Sequence, residues 1–140
     1  MHTEEIRVAT GSRETVHDIT AECETFLSRV GARDGLLNIF VPHATAGIAL
    51  IELGAGSDTD LLDAMGALLP KDDRWAHSHG SLGHGRSHVM PAMVPPYATI
   101  PVISGKMALG TWQSVAVETL ASVATSTIVA TDRPLRIPDL

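Results

Sequence analysis

Four of the seven histidines in the chain, His77, His79, His84 and His88, stand in one short segment. Imidazole is the commonest neutral ligand for zinc and other transition metals, and a catalytic metal site takes three protein ligands and leaves one position for water or substrate. The segment holds enough donors for such a site. Its spacing matches no standard zinc signature, and glycine-containing loops also carry histidines that are merely solvated, so a metal site and an ordinary polar loop are both open readings. His43 follows Pro42 at the exit of an apolar run, a place where a rigid strand can present a ligand or general base. The alternative is a core histidine bonded to backbone. Glu52 ends the next apolar run and can act as a base, a ligand or a partner that orients an imidazole, or can be an ordinary strand-end charge. Arg86 lies between Gly85 and Ser87 and two residues from His88. Gly85 permits close backbone approach, Ser87 offers a hydroxyl, and a guanidinium there can grip a phosphate or carboxylate; the competing reading is a solvated loop arginine.

The surrounding pattern predicts the elements that must hold these residues. Short β-branched stretches at 6–10 and 15–19 flank Gly11-Ser12-Arg13 and read as strand, turn and strand. Thr20 is the expected cap of a helix reaching Arg29 or Val30, with Gly31 as its stop and Cys23 on the apolar face as a small core residue. The apolar runs 35–41 and 47–51 read as buried strands around Pro42-His43-Ala44-Thr45-Ala46. Ser57 and Asp60 resemble a capping box for a second helix, whose Leu61, Leu62, Met65, Leu68 and Leu69 have helical spacing up to Pro70. The polar stretch 71–85 predicts a long loop bordering the site, and strand patterns return at 98–103, 107–109, 111–118 and 125–131, with a tight turn at Ser104-Gly105-Lys106. Late hairpins after two helices predict one α+β domain over 1–140, with a mixed, mostly antiparallel sheet packed with two main helices.

Composition narrows the function classes. A chain of 140 residues with 44% hydrophobic content can close one core without staples. A net charge of −6 with only 10 Lys and Arg argues against a broad nucleic-acid or anionic-membrane surface, though not against a local pocket for a small anion. The single Cys23 excludes an intrachain disulfide and any multi-cysteine zinc site. Glu4 and Glu5 stand where a signal peptide would be basic, and no apolar run is long enough to span a bilayer, so the expected location is the cytoplasm, away from the membrane.

Several ordered elements together resemble the YjbQ-like family. Pro42-His43-Ala44-Thr45-Ala46 resembles its His-Thr-Thr/Ser-Ala element, Glu52 falls where its Asn-Glu sits, and His77 and Ser87-His88 match its loop histidine and Ser/Ala-His pair. Ile100-Pro101-Val102, Gly105 and Leu109-Gly110-Thr111-Trp112-Gln113 look like its C-terminal block, so the likeness runs from about Ile6 to Thr131. The resemblance implies a small α+β protein that forms homotrimers around a three-histidine site, many members carrying the label secondary thiamine-phosphate synthase. It implies His43, His77 and His88 as metal ligands, with His79 and His84 auxiliary, and Glu52 and Glu118 as catalytic carboxylates. Thr45, Arg86, Ser87, Trp112 and Gln113 would then meet the substrate, a small anionic metabolite. Zinc is the expected ion, with magnesium entering beside a pyrophosphate substrate. Trp112 can line a pocket, although a large aromatic in a strand more often belongs to the core or a subunit interface.

The chain also departs from the family pattern. Ile51 replaces Asn before Glu52, Glu118 lies one residue closer to Trp112, and Ala121-Ser122-Val123-Ala124-Thr125-Ser126 stands where the family commonly has an arginine-containing turn. Fewer guanidinium donors weaken a phosphate site, leaving Arg86, Lys106, Lys71 and Arg74 as candidates. Two function classes follow. One is a metal-dependent enzyme joining a pyrimidine pyrophosphate to a thiazole phosphate, the other a non-catalytic trimeric module that binds a metal or metabolite.

Overall fold

The computed structural model describes residues 1–120 and 126–134. The elements run β1 (His2–Val8), β2 (Thr15–Asp18), α1 (Thr20–Arg29), β3 (Gly35–Phe40), β4 (Ala46–Ile51), α2 (Ser57–Leu68) and α3 (His84–Ser87). A 3-10 turn at Met90–Ala92 leads into β5 (Tyr97–Ile103), β6 (Lys106–Met107), β7 (Ser114–Thr119) and β8 (Ser126–Pro134). The α+β class holds, and every pairing among the described strands is antiparallel, but the strands divide into two sheets, ordered β1-β8-β3-β5-β6 and β2-β7-β4. Among the described residues no helix is long and apolar enough to cross a membrane.

Period-two alternation sets the main core. Leu37 and Ile39 of β3, Ile100 and Val102 of β5, and Ile128 and Ala130 of β8 turn inward, toward Ile48 of β4 and Val115 and Val117 of β7. Cys23, Phe26 and Leu27 of α1 complete the cluster, so Cys23 is the expected core residue, and burial together with Glu22, Asp18 and Glu24 pushes its thiol up to about 12. Each fully buried Leu, Ile or Phe contributes about 1.5–3 kcal/mol relative to exposure, and this layer therefore supplies most of the stability.

Helix starts differ from the sequence expectation. Ile19, not Thr20, occupies the cap of α1; Thr20 is already helical, its hydroxyl donating to Asp18 Oδ1 at 2.6 Å and accepting from Val115 N–H at 2.9 Å. Thr20 thus ties α1 to β7. The capping box also does not form: α2 is capped by Gly56 in a left-handed conformation, and Ser57 makes no cap bond. At the other end of α1 Gly31 does stop the helix, with φ +61° and with Ala32 N–H donating to Leu27 O at 2.9 Å.

A smaller cluster of Met65, Leu69, Met90, Val94 and Leu120 lies on the side of the three-stranded sheet away from the main core, with Ala49 and Trp75 packed against it. One position allows this layer to close. A Cβ on Gly47 would stand 2.2 Å from the carbonyl oxygen of Val94, and the next residues bond to the strands, Ile48 N–H to Pro95 O and Val41 N–H to Pro96 O, both at 2.8 Å. The chain leaving the 3-10 turn can therefore lie directly on β4 only because residue 47 has no side chain. Gly47→Ala should destabilise the fold by about 1–3 kcal/mol through overpacking, read as a lower urea midpoint at unchanged slope. A midpoint equal to that of the wild type would show that segment 94–96 moves aside freely.

Candidate metal centre

The histidine segment is held at both ends. After α2, Trp75 Nε1 donates to Pro70 O at 2.9 Å, and Gly85 comes so close to the Trp75 side chain and His77 O that a Cβ there would meet each at 2.5 Å. Arg86, only 3% exposed, donates from Nη1 to Leu69 O at 2.8 Å and pairs through Nη2 with Glu14 Oε1 at 2.5 Å. Burial alone would raise the Glu14 carboxyl, but hydrogen bonds and charge from Arg86 and Lys71 outweigh it and hold the group below the usual range. Ser87 is buried, and its hydroxyl donates to His84 O at 2.6 Å. Arg86 and Ser87, two of the five residues expected to meet the substrate, are thus engaged in fixing α3.

These constraints converge four imidazoles. Ring centroids lie 4.0 Å apart for His77 and His79, 4.2 Å for His77 and His88, and 4.8 Å for His84 and His88. Donor atoms of His77, His79 and His84 all fall within 4.8 Å of one another, and the Nε2 atoms of His84 and His88 face each other at 3.0 Å. Two nitrogens bound tetrahedrally to one zinc at about 2.05 Å would stand roughly 3.4 Å apart, so the His84–His88 spacing is close to that of co-ligands. Partial loss of water and repulsion from neighbouring imidazoles both lower the pKa of His77 and of His88. The rings are thereby kept neutral, the form that coordinates a cation. His79 and His84, auxiliary in the sequence reading, stand inside the cluster.

His43 flanks it. It contributes to the lowering at His88, and its Nδ1 accepts from Thr45 N–H at 3.2 Å with the buried Thr45 hydroxyl at 3.0 Å. With Nδ1 accepting, the neutral ring carries its proton on Nε2 and presents a donor there. Thr45 is therefore an orienting partner of His43. Glu118 lies at the same end of the sheet, opposite Gly47 in the β4–β7 register. It is 0% exposed, neither carboxylate oxygen has a hydrogen-bond partner among the described residues, and burial pushes it up to about 7.

The other predicted residues go elsewhere. Ile51 pairs with Ser114, so Glu52, Trp112 and Gln113 gather at the opposite end of β4 from His43. Five steps of strand, about 17 Å, lie between Ala46 and Ile51. Trp112 is 73% exposed and so not a core residue, while Gln113 Oε1 accepts from Gly110 N–H at 2.8 Å. The arginine-poor turn at 121–125 lies outside the described residues. Two residues that shape the site had escaped the sequence reading: Glu14, which carried no local signal, and Trp75, whose presence in a polar loop marks an anchor.

Comparison with known proteins agrees with this architecture. The profile of the UPF0047 protein YjbQ-like family matches residues 4–129. The chain belongs to that family. UPF0047 protein Rv2556c of Mycobacterium tuberculosis is 52% identical over 115 residues, 82% of this chain and 84% of that protein. The Bacillus subtilis UPF0047 protein YugU is 30% identical over 112 residues, 79% of this chain and 83% of that one. A hypothetical protein from Aeropyrum pernix K1, APE1520, has a crystal structure that superposes with a TM-score of 0.89 at 28% identity, covering 96% of this chain and all (100%) of its own.

Glu118 gives this YjbQ-like protein a measurable pH signature. Its folded value of about 7 exceeds the ordinary 4.5, so its contribution to stability is complete below 4.5 and is lost as pH rises through 7. The full loss is up to ~3 kcal/mol. In urea melts, Glu118→Gln should therefore gain on the wild type by about 2–3 kcal/mol between pH 5 and pH 8. An equal gap at both pH values would mean that the carboxyl does not titrate in its buried position.

Proposed function

We propose that the chain is a divalent-metal-dependent enzyme acting on a small anionic metabolite, with thiamine-phosphate synthase as the specific activity its family resemblance implies. The observation that carries the reading is the convergence of four imidazoles, His77, His79, His84 and His88, on a loop pinned at both ends. An all-imidazole donor set suits zinc and disfavours magnesium, which prefers oxygen. When bound, such a cation supplies Lewis acidity or a water of lowered pKa. In this proposal His77 and His88 are ligands, and His84 joins them by its 3.0 Å approach to His88. His43, the third ligand by resemblance, can coordinate through Nε2 only by giving up the bond it accepts from Thr45 N–H. Glu118 is the buried carboxyl that holds or moves a proton near pH 7.

We further propose a cytoplasmic homotrimer in which Glu52, Trp112 and Gln113 of one subunit face the histidines of the next. Their separation from the histidine end within one chain and the exposure of Trp112 support it. A second reading, a non-catalytic trimeric metal- or metabolite-binding module, is favoured by the same cluster, because four imidazoles can close a tetrahedral shell and leave no position for substrate.

Tag-free protein purified without chelator should carry about one zinc per chain by elemental analysis, consistent with one cluster. His84→Ala should weaken zinc binding by about a hundredfold or more, and His43→Ala by less, since even outer partners are worth 10–100-fold. Protein that neither contains nor takes up zinc would remove the metal-centred reading. Light scattering should give three times the 14.8 kDa chain mass, and a monomer at micromolar concentration would exclude a site shared between subunits.

A further inference from the structure

The cleft beside the histidine cluster is positively charged in an otherwise acidic chain. It encloses about 430 Å³, and its walls include Arg13, Glu14, Lys71, Ser81, His84 and Arg86. Three cations thus face one carboxylate, against a net charge of −6 for the whole chain. The pairing within it is uneven. One oxygen of Glu14, Oε1, meets both Lys71 Nζ at 3.2 Å and Arg86 Nη2 at 2.5 Å. Arg86 is buried and spends a further donor on Leu69 O, so it is a positioning residue with little left for a ligand. Arg13 has no ion-pair partner among the described residues, and two of the three ammonium protons of Lys71 remain available.

We propose that Arg13 and Lys71 form the binding site for a phosphoryl group of the substrate, with the Ser81 hydroxyl as an additional donor. A guanidinium matches two phosphate oxygens at once and an ammonium adds a point charge, which is the donor pattern a dianionic oxyanion requires. The Glu14 carboxylate between Lys71 and Arg86 already shows an oxyanion held at one side of this cleft. His84 connects the site to the metal cluster, because it lines the cleft while its Nε2 stands 3.0 Å from that of His88. A second cleft of about 260 Å³ shares Ser81 and His84 and adds His77. A metabolite anchored by its phosphoryl group at Arg13 and Lys71 therefore extends toward the imidazoles. The assignment rests on the proposed anionic substrate, and it replaces the arginine turn of the family with cations from the β1–β2 turn and from the segment following α2.

Calorimetric titration of inorganic phosphate into metal-free protein tests the site without relying on turnover. Wild type should bind, Arg13→Ala and Lys71→Met should each bind about tenfold more weakly, and the double variant should show no measurable binding. Arg29→Ala removes the same charge from a guanidinium paired with Glu4, away from the cleft, and should leave affinity unchanged. Absence of binding to wild type, undiminished binding by the double variant, or an equal loss in Arg29→Ala would overturn the proposal. Zinc titration of the same variants separates it from the metal-centred reading: zinc affinity should persist in Arg13→Ala and Lys71→Met whether or not phosphate binds.

Discussion

Arg86 carries a full charge into the protein interior, and such a charge is tolerated only when paired and hydrogen-bonded. Its two partners come from distant places, the carbonyl of Leu69 just after α2 and the carboxylate of Glu14 at the entry to β2. One side chain therefore joins the end of a helix, the first turn of the chain and the short helix α3. The histidines stand on the segment closed by this joint. Ordering the loop that carries His77, His79, His84 and His88 costs about 1–2 kcal/mol per residue of backbone, and the Arg86 joint offsets that cost together with the Trp75 bond, the Gly85 contact and the Ser87 bond to His84 O. Pre-organisation of the cluster is thus a property of the charge pair as much as of the imidazoles.

Much of the fold was legible because its signals are local. β-Branched stretches and continuous apolar runs located strands, helical spacing located α1 and α2, and Gly31 and Ser104-Gly105-Lys106 marked a helix stop and a tight turn, in which Ser104 and Gly105 have φ +50° and +81°. Division into two sheets was not legible, since it depends on which distant strands pair. The caps failed for a related reason. Ser57 and Thr20 are good capping residues by type, but Gly56 reaches a left-handed conformation at no steric cost, and the Thr20 hydroxyl is spent on Asp18 and β7.

The site was legible in part. Clustered histidines announced themselves by number, and the family pattern marked His43, His77 and His88, but only three-dimensional proximity brings in His79 and His84. Arg86 reads in sequence as an anion anchor beside the histidines, with a solvated loop arginine as the competing reading, and its burial against a carboxylate far away in the chain carries no local signal. Glu52 reads as a neighbour of His43 because only one short strand separates them. A strand, however, places its two ends far apart, and adjacency along the sequence becomes separation across the sheet.

The two buried charged residue types near the site are handled in opposite ways, and the contrast bears on chemistry. The charge of Arg86 is tolerated in the interior because Glu14 compensates it. Glu118 has no cation within bonding reach among the described residues, so burial keeps it protonated up to about pH 7. Gly47 lies opposite it in the register, and the Val94 carbonyl lies over Gly47, which covers that end of the sheet and sustains the desolvation. A carboxyl balanced near neutral pH can give or take a proton, whereas one beside a guanidinium stays ionised and can only accept hydrogen bonds. Placed at the end of the sheet that carries Thr45 and His43, Glu118 supplies a proton reservoir distinct from the imidazoles. Of those, His77 and His88 are held neutral by partial loss of water and by repulsion from neighbouring imidazoles, which keeps their lone pairs for a cation. Acid–base capacity and metal-binding capacity are in this way assigned to different groups by burial and charge alone.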